Sequence, residues 1–140
     1  MKVDIYSREG IENLINNGFP AKTAVISFYD PEDTPVDYKG KCAALFQICV
    51  PDTDFESLEE EGFTYETFFP EADELVEFIF SFTEKGFNFI CQCEYGQSRS
   101  AGCAAAIKEY FDFEGIKIFA DYRYCPSQLI YNKVYEALMK

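Results

Sequence analysis

The sequence predicts one α/β domain, three layers deep (α/β/α), with a mainly parallel central sheet. Three observations carry that expectation. Short apolar, β-branched runs alternate with stretches of helical periodicity, the pattern of a sheet covered by helices. The chain has 140 residues, 48% of them apolar and 18% aromatic, which is enough to bury a core and too much for disorder. No repeat, low-complexity tract or linker interrupts it, so residues 1–140 read as a single domain.

The elements follow in order. Met1 to Tyr6 alternates as a short strand, and Ser7 then suits a helix N-cap. Residues 8–17 set Ile11, Leu14 and Ile15 on one helical face, and Gly18 sits where a helix stops. Lys22 to Tyr29 is a buried strand, residues 30–40 a loop with two prolines, and Cys42 to Val50 a second buried strand. Residues 51–62 form an acidic loop. Thr64 to Lys85 reads as a helix with Leu75, Val76, Ile79 and Phe82 inward and Pro70 near its start. Its aromatic residues Phe68, Phe69, Phe78, Phe80 and Phe82 read as core packing. Phe87 to Cys91 is a short strand, and residues 93–99 are a turn containing Gly96. Ser100 to Phe111 is a small-residue helix able to approach its neighbours closely. A loop through Pro126 leads to a last helix, from about Ser127 to Met139.

Composition narrows the chemistry. With 12 Lys and Arg against 25 Asp and Glu, the formal net charge is −13. Such a chain repels nucleic acid and anionic membrane surfaces unless a basic patch overrides the field, and its cations are scattered. There is no histidine, so the Ser-His-Asp and Cys-His triads and every imidazole-dependent zinc site are excluded. Six cysteines with no CxxC pair do not space as a metal site, and several lie in apolar runs where free Cys acts as a small hydrophobe. With no secretory signal and no membrane-length apolar stretch visible, the expectation is a reduced, cytoplasmic protein.

The turn after the fourth apolar strand carries the chemistry. It reads Cys93-Glu94-Tyr95-Gly96-Gln97-Ser98-Arg99-Ser100. Successive backbone N–H groups in a tight turn make a concave nest for an anion, and the helix that follows adds the positive end of its dipole. Gly96 permits a conformation that a side chain obstructs, and Arg99 can grip two phosphate oxygens at once, as Lys cannot. The same donors favour the Cys93 thiolate, a nucleophile. In α/β folds ligands gather at this place, beyond the carboxyl end of a strand.

These residues resemble the signature of the cysteine-dependent protein tyrosine phosphatases, in particular the small dual-specificity-like branch. Cys93, Gly96, Arg99 and Ser100 match it in spacing. The resemblance implies a phosphatase-like fold and hydrolysis of phosphomonoesters through a cysteinyl-phosphate. It gives Cys93 as nucleophile, Arg99 and the backbone of Glu94, Tyr95, Gly96, Gln97 and Ser98 as the phosphate cradle, and Ser100 as a hydrogen-bond donor to the sulfur. It calls for no metal or other cofactor. It also requires a carboxylic acid from an upstream loop. Asp52 is favoured because it follows the strand and Pro51 directly, with Asp54 as competitor. One position departs from the pattern: Gln92 stands where the family has His, leaving a neutral amide beside the thiolate.

The partners implied are a phosphorylated protein or a small phosphomonoester, phosphotyrosine first, with neither nucleic acid nor membrane. The alternative is a phosphate- or phosphoprotein-binding pseudophosphatase with weakened chemistry. Cys91 reads as a buried strand residue, and Tyr122, Arg123 and Tyr124 as a possible wall of the pocket.

Overall fold

The computed structural model describes residues Met1–Lys140. Four strands, β1 (Val3–Tyr6), β2 (Thr23–Tyr29), β3 (Ala44–Cys49) and β4 (Asn88–Gln92), form one sheet in the order β1-β4-β2-β3. Every neighbouring pair is parallel. Five helices complete the chain: α1 (Arg8–Asn17), α2 (Ala72–Glu84), α3 (Arg99–Asp112), α4 (Gly115–Phe119) and α5 (Gln128–Met139). None is long and apolar enough to cross a membrane.

Alternation along the strands divides the core in two. On one face Ala24, Ile26 and Phe28 of β2 join Phe89 and Cys91 of β4 beneath α2, α3 and α5. On the other, Val25 and Ile90 pack with Ile11 and Ile15 of α1 and with Val36 and Tyr38. Six of the seven β2 residues are buried, as expected of a parallel strand covered on both faces. Most of α3 is buried too, and its small residues let α5 come close: a Cβ on Gly102 would stand 2.5 Å from the Ser127 carbonyl oxygen.

The cap at Ser7 is as the sequence predicts, and Ser127, expected as the start of the last helix, caps it. Ser7 Oγ accepts from the Gly10 N–H at 3.0 Å, and Ser127 Oγ from the Ile130 N–H at 3.1 Å. Two expectations need correction. The helix predicted from Thr64 starts only at Ala72. Pro70 disfavours a helical Phe69, which takes the left-handed φ of 51°, and the Thr64 and Thr67 hydroxyls satisfy each other's backbone N–H groups. Phe68 and Phe69 are buried all the same, so their apolar signal was core without helix. The stretch predicted as loop before Pro126 contains α4, one turn too short to show a period.

What matters for function is the sheet's carboxyl edge. The register pairs Tyr29 with Cys49 and Ser27 with Gln92, so β2, β3 and β4 end side by side. Asp30, Val50 and Cys93, the next residues of each, are thereby brought to one place.

Candidate active site

Cys93 follows β4 directly, its side chain on the larger-core face and only 2% exposed. Its Sγ lies 3.1 Å from Oγ of Ser100, in the first turn of α3. Between them the loop bends back through Gly96, whose φ is +66°. A Cβ at Gly96 would come within 2.7 Å of the Ser7 backbone nitrogen and 2.9 Å of the Tyr6 carbonyl carbon. Glycine is therefore required twice, by backbone angle and by space.

The loop is held from several sides. The Cys93 N–H donates to the Tyr6 carbonyl, and the Arg8 N–H to that of Glu94. Arg8 Nε adds an ion pair to Glu94 at 3.0 Å, and its Nη2 donates to the Thr34 carbonyl. From the other end, the Cys125 and Ser127 N–H groups donate to the carbonyls of Gln97 and Ser98. The carbonyls of Glu94, Gln97 and Ser98 are thus engaged, whereas the backbone N–H groups of Glu94 to Ser100 find no acceptor in the protein. A tight turn whose successive N–H donors are free is an anion nest, placed here at a helix N-terminus.

Arg99 completes it. The side chain is 3% exposed. Its Nη1 donates to Asp30 Oδ1 at 2.9 Å and to the Val50 carbonyl at 2.8 Å, and its Nη2 to Asp30 Oδ2 at 3.2 Å. Nε is buried without a partner. Of five guanidinium N–H bonds, three are committed and two are free, one on Nε and one on Nη2. Those two lie on one edge of the plane and form a side-on fork suited to two oxygens of a phosphoryl group.

Of the two acids considered, the structure brings Asp52 to the loop: its Oδ1 accepts from Ser98 Oγ at 2.9 Å. Asp54 turns away to accept from the Ser57 N–H at 2.8 Å. Gln92 corrects an expectation. Its amide does not stand beside the thiol, because alternation along β4 sends it to the opposite face of the sheet. There Oε1 accepts from Ser27 Oγ at 2.5 Å and from Tyr38 OH at 2.9 Å, with Gln47 Nε2 donating to Ser27 Oγ at 3.3 Å. Burial pushes the Tyr38 phenol well above its ordinary range, so it stays a proton donor to Gln92. Cys91 is the buried strand residue expected; its hydrogen bond with Cys103, then burial, hold its thiol well above the ordinary range. Tyr122 is 96% exposed, and Arg123 folds onto Asp121 at 2.7 Å.

Sequence reasoning missed Asp30 and Arg8. Neither belongs to a motif, but Asp30 was recoverable: it is the first residue beyond a buried parallel strand, at the edge where such sheets gather their ligand groups. A cavity of about 670 Å³ opens beside it, lined on this side by Asp30, Val50 and Asp52 and reaching to Phe63, Phe68 and Glu71.

The sheet, its covering helices and a cysteine–arginine loop at the sheet's carboxyl edge give this chain the fold of the protein tyrosine and dual-specificity phosphatases. Solved structures show the likeness over nearly the whole chain. Tk-PTP in its active form aligns with a TM-score of 0.60 at 13% identity, covering 100% of this chain and 93% of that one. Human DUSP28 aligns with a TM-score of 0.58 at 12% identity, covering 98% and 88%. PTPMT1 in complex with PI(5)P gives 0.55 at 15% identity, covering 99% and 90%. No protein-family model matches the sequence, and no curated protein matches it.

Proposed function

We propose that this chain hydrolyses phosphomonoesters, phosphotyrosine-type esters foremost, through a cysteinyl-phosphate intermediate in a cytoplasmic setting. One observation carries the reading: Arg99 keeps a free side-on N–H fork on the loop that holds the Cys93 sulfur 3.1 Å from Ser100 Oγ.

The chemistry follows from the groups present. The Cys93 thiolate attacks phosphorus, forming a P–S bond while the ester P–O bond breaks. The Arg99 fork and the free N–H groups of residues 94–100 bind the phosphoryl oxygens through the charge shift. Asp52 gives its proton to the departing oxygen, then as carboxylate takes one from the water that attacks phosphorus. The P–S bond breaks, phosphate leaves, and Ser100 donates a hydrogen bond to the returning thiolate. The six free thiols suit a reducing compartment.

The test is turnover of an aryl phosphate in metal-free buffer. Wild type turns over, and Cys93→Ser does not, although it still binds vanadate, since Ser keeps the loop shape but ionises far less readily. Turnover by Cys93→Ser would overturn the covalent route. The pseudophosphatase reading draws on Gln92 in the family's His position, and oxyanion binding without turnover in wild type would establish it instead.

A further inference from the structure

Phosphoryl transfer says nothing of what carries the phosphate, and here the surroundings of the loop discriminate. Resting on the phosphatase reading, we infer that the substrate is a phosphopeptide with Lys or Arg beside its phosphorylated residue, whose cationic side chains enter the cavity next to Arg99.

That cavity adjoins the phosphate site directly, since Asp30 and Val50, the two protein partners of Arg99, both line it. Five carboxylates line it, Asp30, Glu32, Asp52, Glu61 and Glu71, and no Lys or Arg does. Only Asp30 has a cationic partner; the other four form no salt bridge. Phe63, partly exposed, adds aromatic surface against which the methylene stem of a Lys or Arg packs while its head meets carboxylate, with Phe68 and Phe69 buried behind it. The field reaches Cys49 in the same wall: burial pushes its thiol up, and Asp30 and Glu71 push it further.

The opposite rim offers no compensating positive charge. Its cation, Arg8, is held by Glu94, Glu12 and the Thr34 carbonyl, with Asp33 beside it. With Arg8 neutralised by Glu94 and Glu12, the cation buried in the loop is Arg99, whose free side-on fork takes a single phosphoryl group. A ligand with further negative charge meets unpaired carboxylates, whereas one with positive charge beside its phosphate is drawn in. Size separates a peptide from a small amino-alcohol phosphate. A cavity of about 670 Å³ takes several side-chain-sized groups, and Tyr95, 77% exposed on the loop, extends the surface on the far rim.

The experiment compares kcat/KM for two phosphotyrosine peptides differing only in flanking Lys or Glu. An aryl phosphate with no charge beyond its phosphate, phosphoethanolamine and an inositol phosphate are run alongside. The Lys-flanked peptide is expected to lead the Glu-flanked one by on the order of tenfold to a hundredfold, the lead shrinking as salt screens it. The double substitution Glu32→Lys with Glu61→Lys collapses that ratio. Glu84→Lys, at the far end of α2, about 18 Å along the helix from its start, leaves it standing. Equal rates, a lead for the Glu peptide, or phosphoethanolamine or the inositol phosphate outrunning the Lys peptide would each overturn the inference. So would a ratio as sensitive to Glu84→Lys as to the cavity pair. Failure of wild type on the aryl phosphate would instead overturn the phosphatase reading beneath it.

Discussion

Arg99 has five N–H bonds and commits three of them to the protein, and that division fixes which edge is left free. Asp30 is therefore a positioning residue. Asp30→Ala strands a guanidinium that is 3% exposed, which should cost about 2–4 kcal/mol of stability and raise KM for aryl phosphates, and Asp30→Asn should restore part of both. Chemical denaturation and steady-state kinetics read the two effects. A variant of unchanged KM would show that loop and helix orient Arg99 alone. The acid assignment is equally open to test. Asp52→Asn should lower kcat by roughly 10²–10⁴-fold, most for poor leaving groups. Asp54→Asn, whose carboxylate is engaged with Ser57, should leave rates near wild type. The reverse pattern would move the role to Asp54. At this scale the sequence was informative where chemistry is local. Cys93, Gly96, Arg99 and Ser100 lie within eight residues, and their spacing alone announces a loop. Asp30 and Arg8 come from far along the chain, and only the strand order brings them there. Gln92 was legible as a departure from pattern, but the face it occupies follows from strand alternation, which its neighbourhood to Cys93 obscured.

Elements supply the rigidity that the loop lacks. α3 and α5 approach closely enough that Gly102 sits against the Ser127 carbonyl, and the Ser127 N–H in turn holds the Ser98 carbonyl of the loop. Two effects oppose each other in Gly102→Ala. Alanine favours a helix interior by about 1 kcal/mol over glycine, but its methyl would meet a backbone oxygen at 2.5 Å, which cannot swing aside as a side chain could. Sterics should win, giving net destabilisation of about 1–3 kcal/mol in denaturant titration, with activity falling further because the loop's rear support shifts. A more stable variant would mean that α5 yields easily. The central strands β2 and β4 were legible as apolar runs because a parallel strand buried on both faces needs nothing subtler, whereas Cys42 to Val50, expected as a buried strand, is a partly exposed edge strand. The stretch before α2 was not, since Phe68 and Phe69 are as buried as helix residues and only Pro70 and the paired threonines stop the helix.

For the molecule as a whole, a net charge of −13 works against compactness. Raising ionic strength should therefore raise Tm, while an excess of attractive pairs would give the opposite slope. Stability at alkaline pH depends on groups kept neutral by the fold. Cys91 is raised by its hydrogen bond with Cys103 and by burial, and Tyr38 by burial. Because folding raises both values, their contribution is complete below the unfolded values, about 8.5 for a thiol and about 10 for a phenol, and is lost as pH rises through the folded ones. The unfolding free energy should thus decline above about pH 8.5, and Cys91→Ala should flatten the first part of that decline. On the acid side Asp112, lowered by its hydrogen bond from Lys108, contributes above the usual carboxylate range and loses that contribution as pH falls through its folded value. Urea melts across the pH range would show both limbs.

The anchoring of residues 93–96 on residues 6–8 carries a consequence for the order of events in folding. Those contacts join segments more than eighty residues apart, and β1 pairs only with β4. Closing so long a loop is entropically costly and slow compared with forming α3 or α5, whose contacts are local. The anion nest is then among the last features to form. During refolding, recovery of vanadate binding should trail recovery of helical circular dichroism. On the ribosome, residues 93–100 cannot take shape until their own segment has emerged and returned to the amino-terminal strand, so a chain lacking either segment has no such nest to offer.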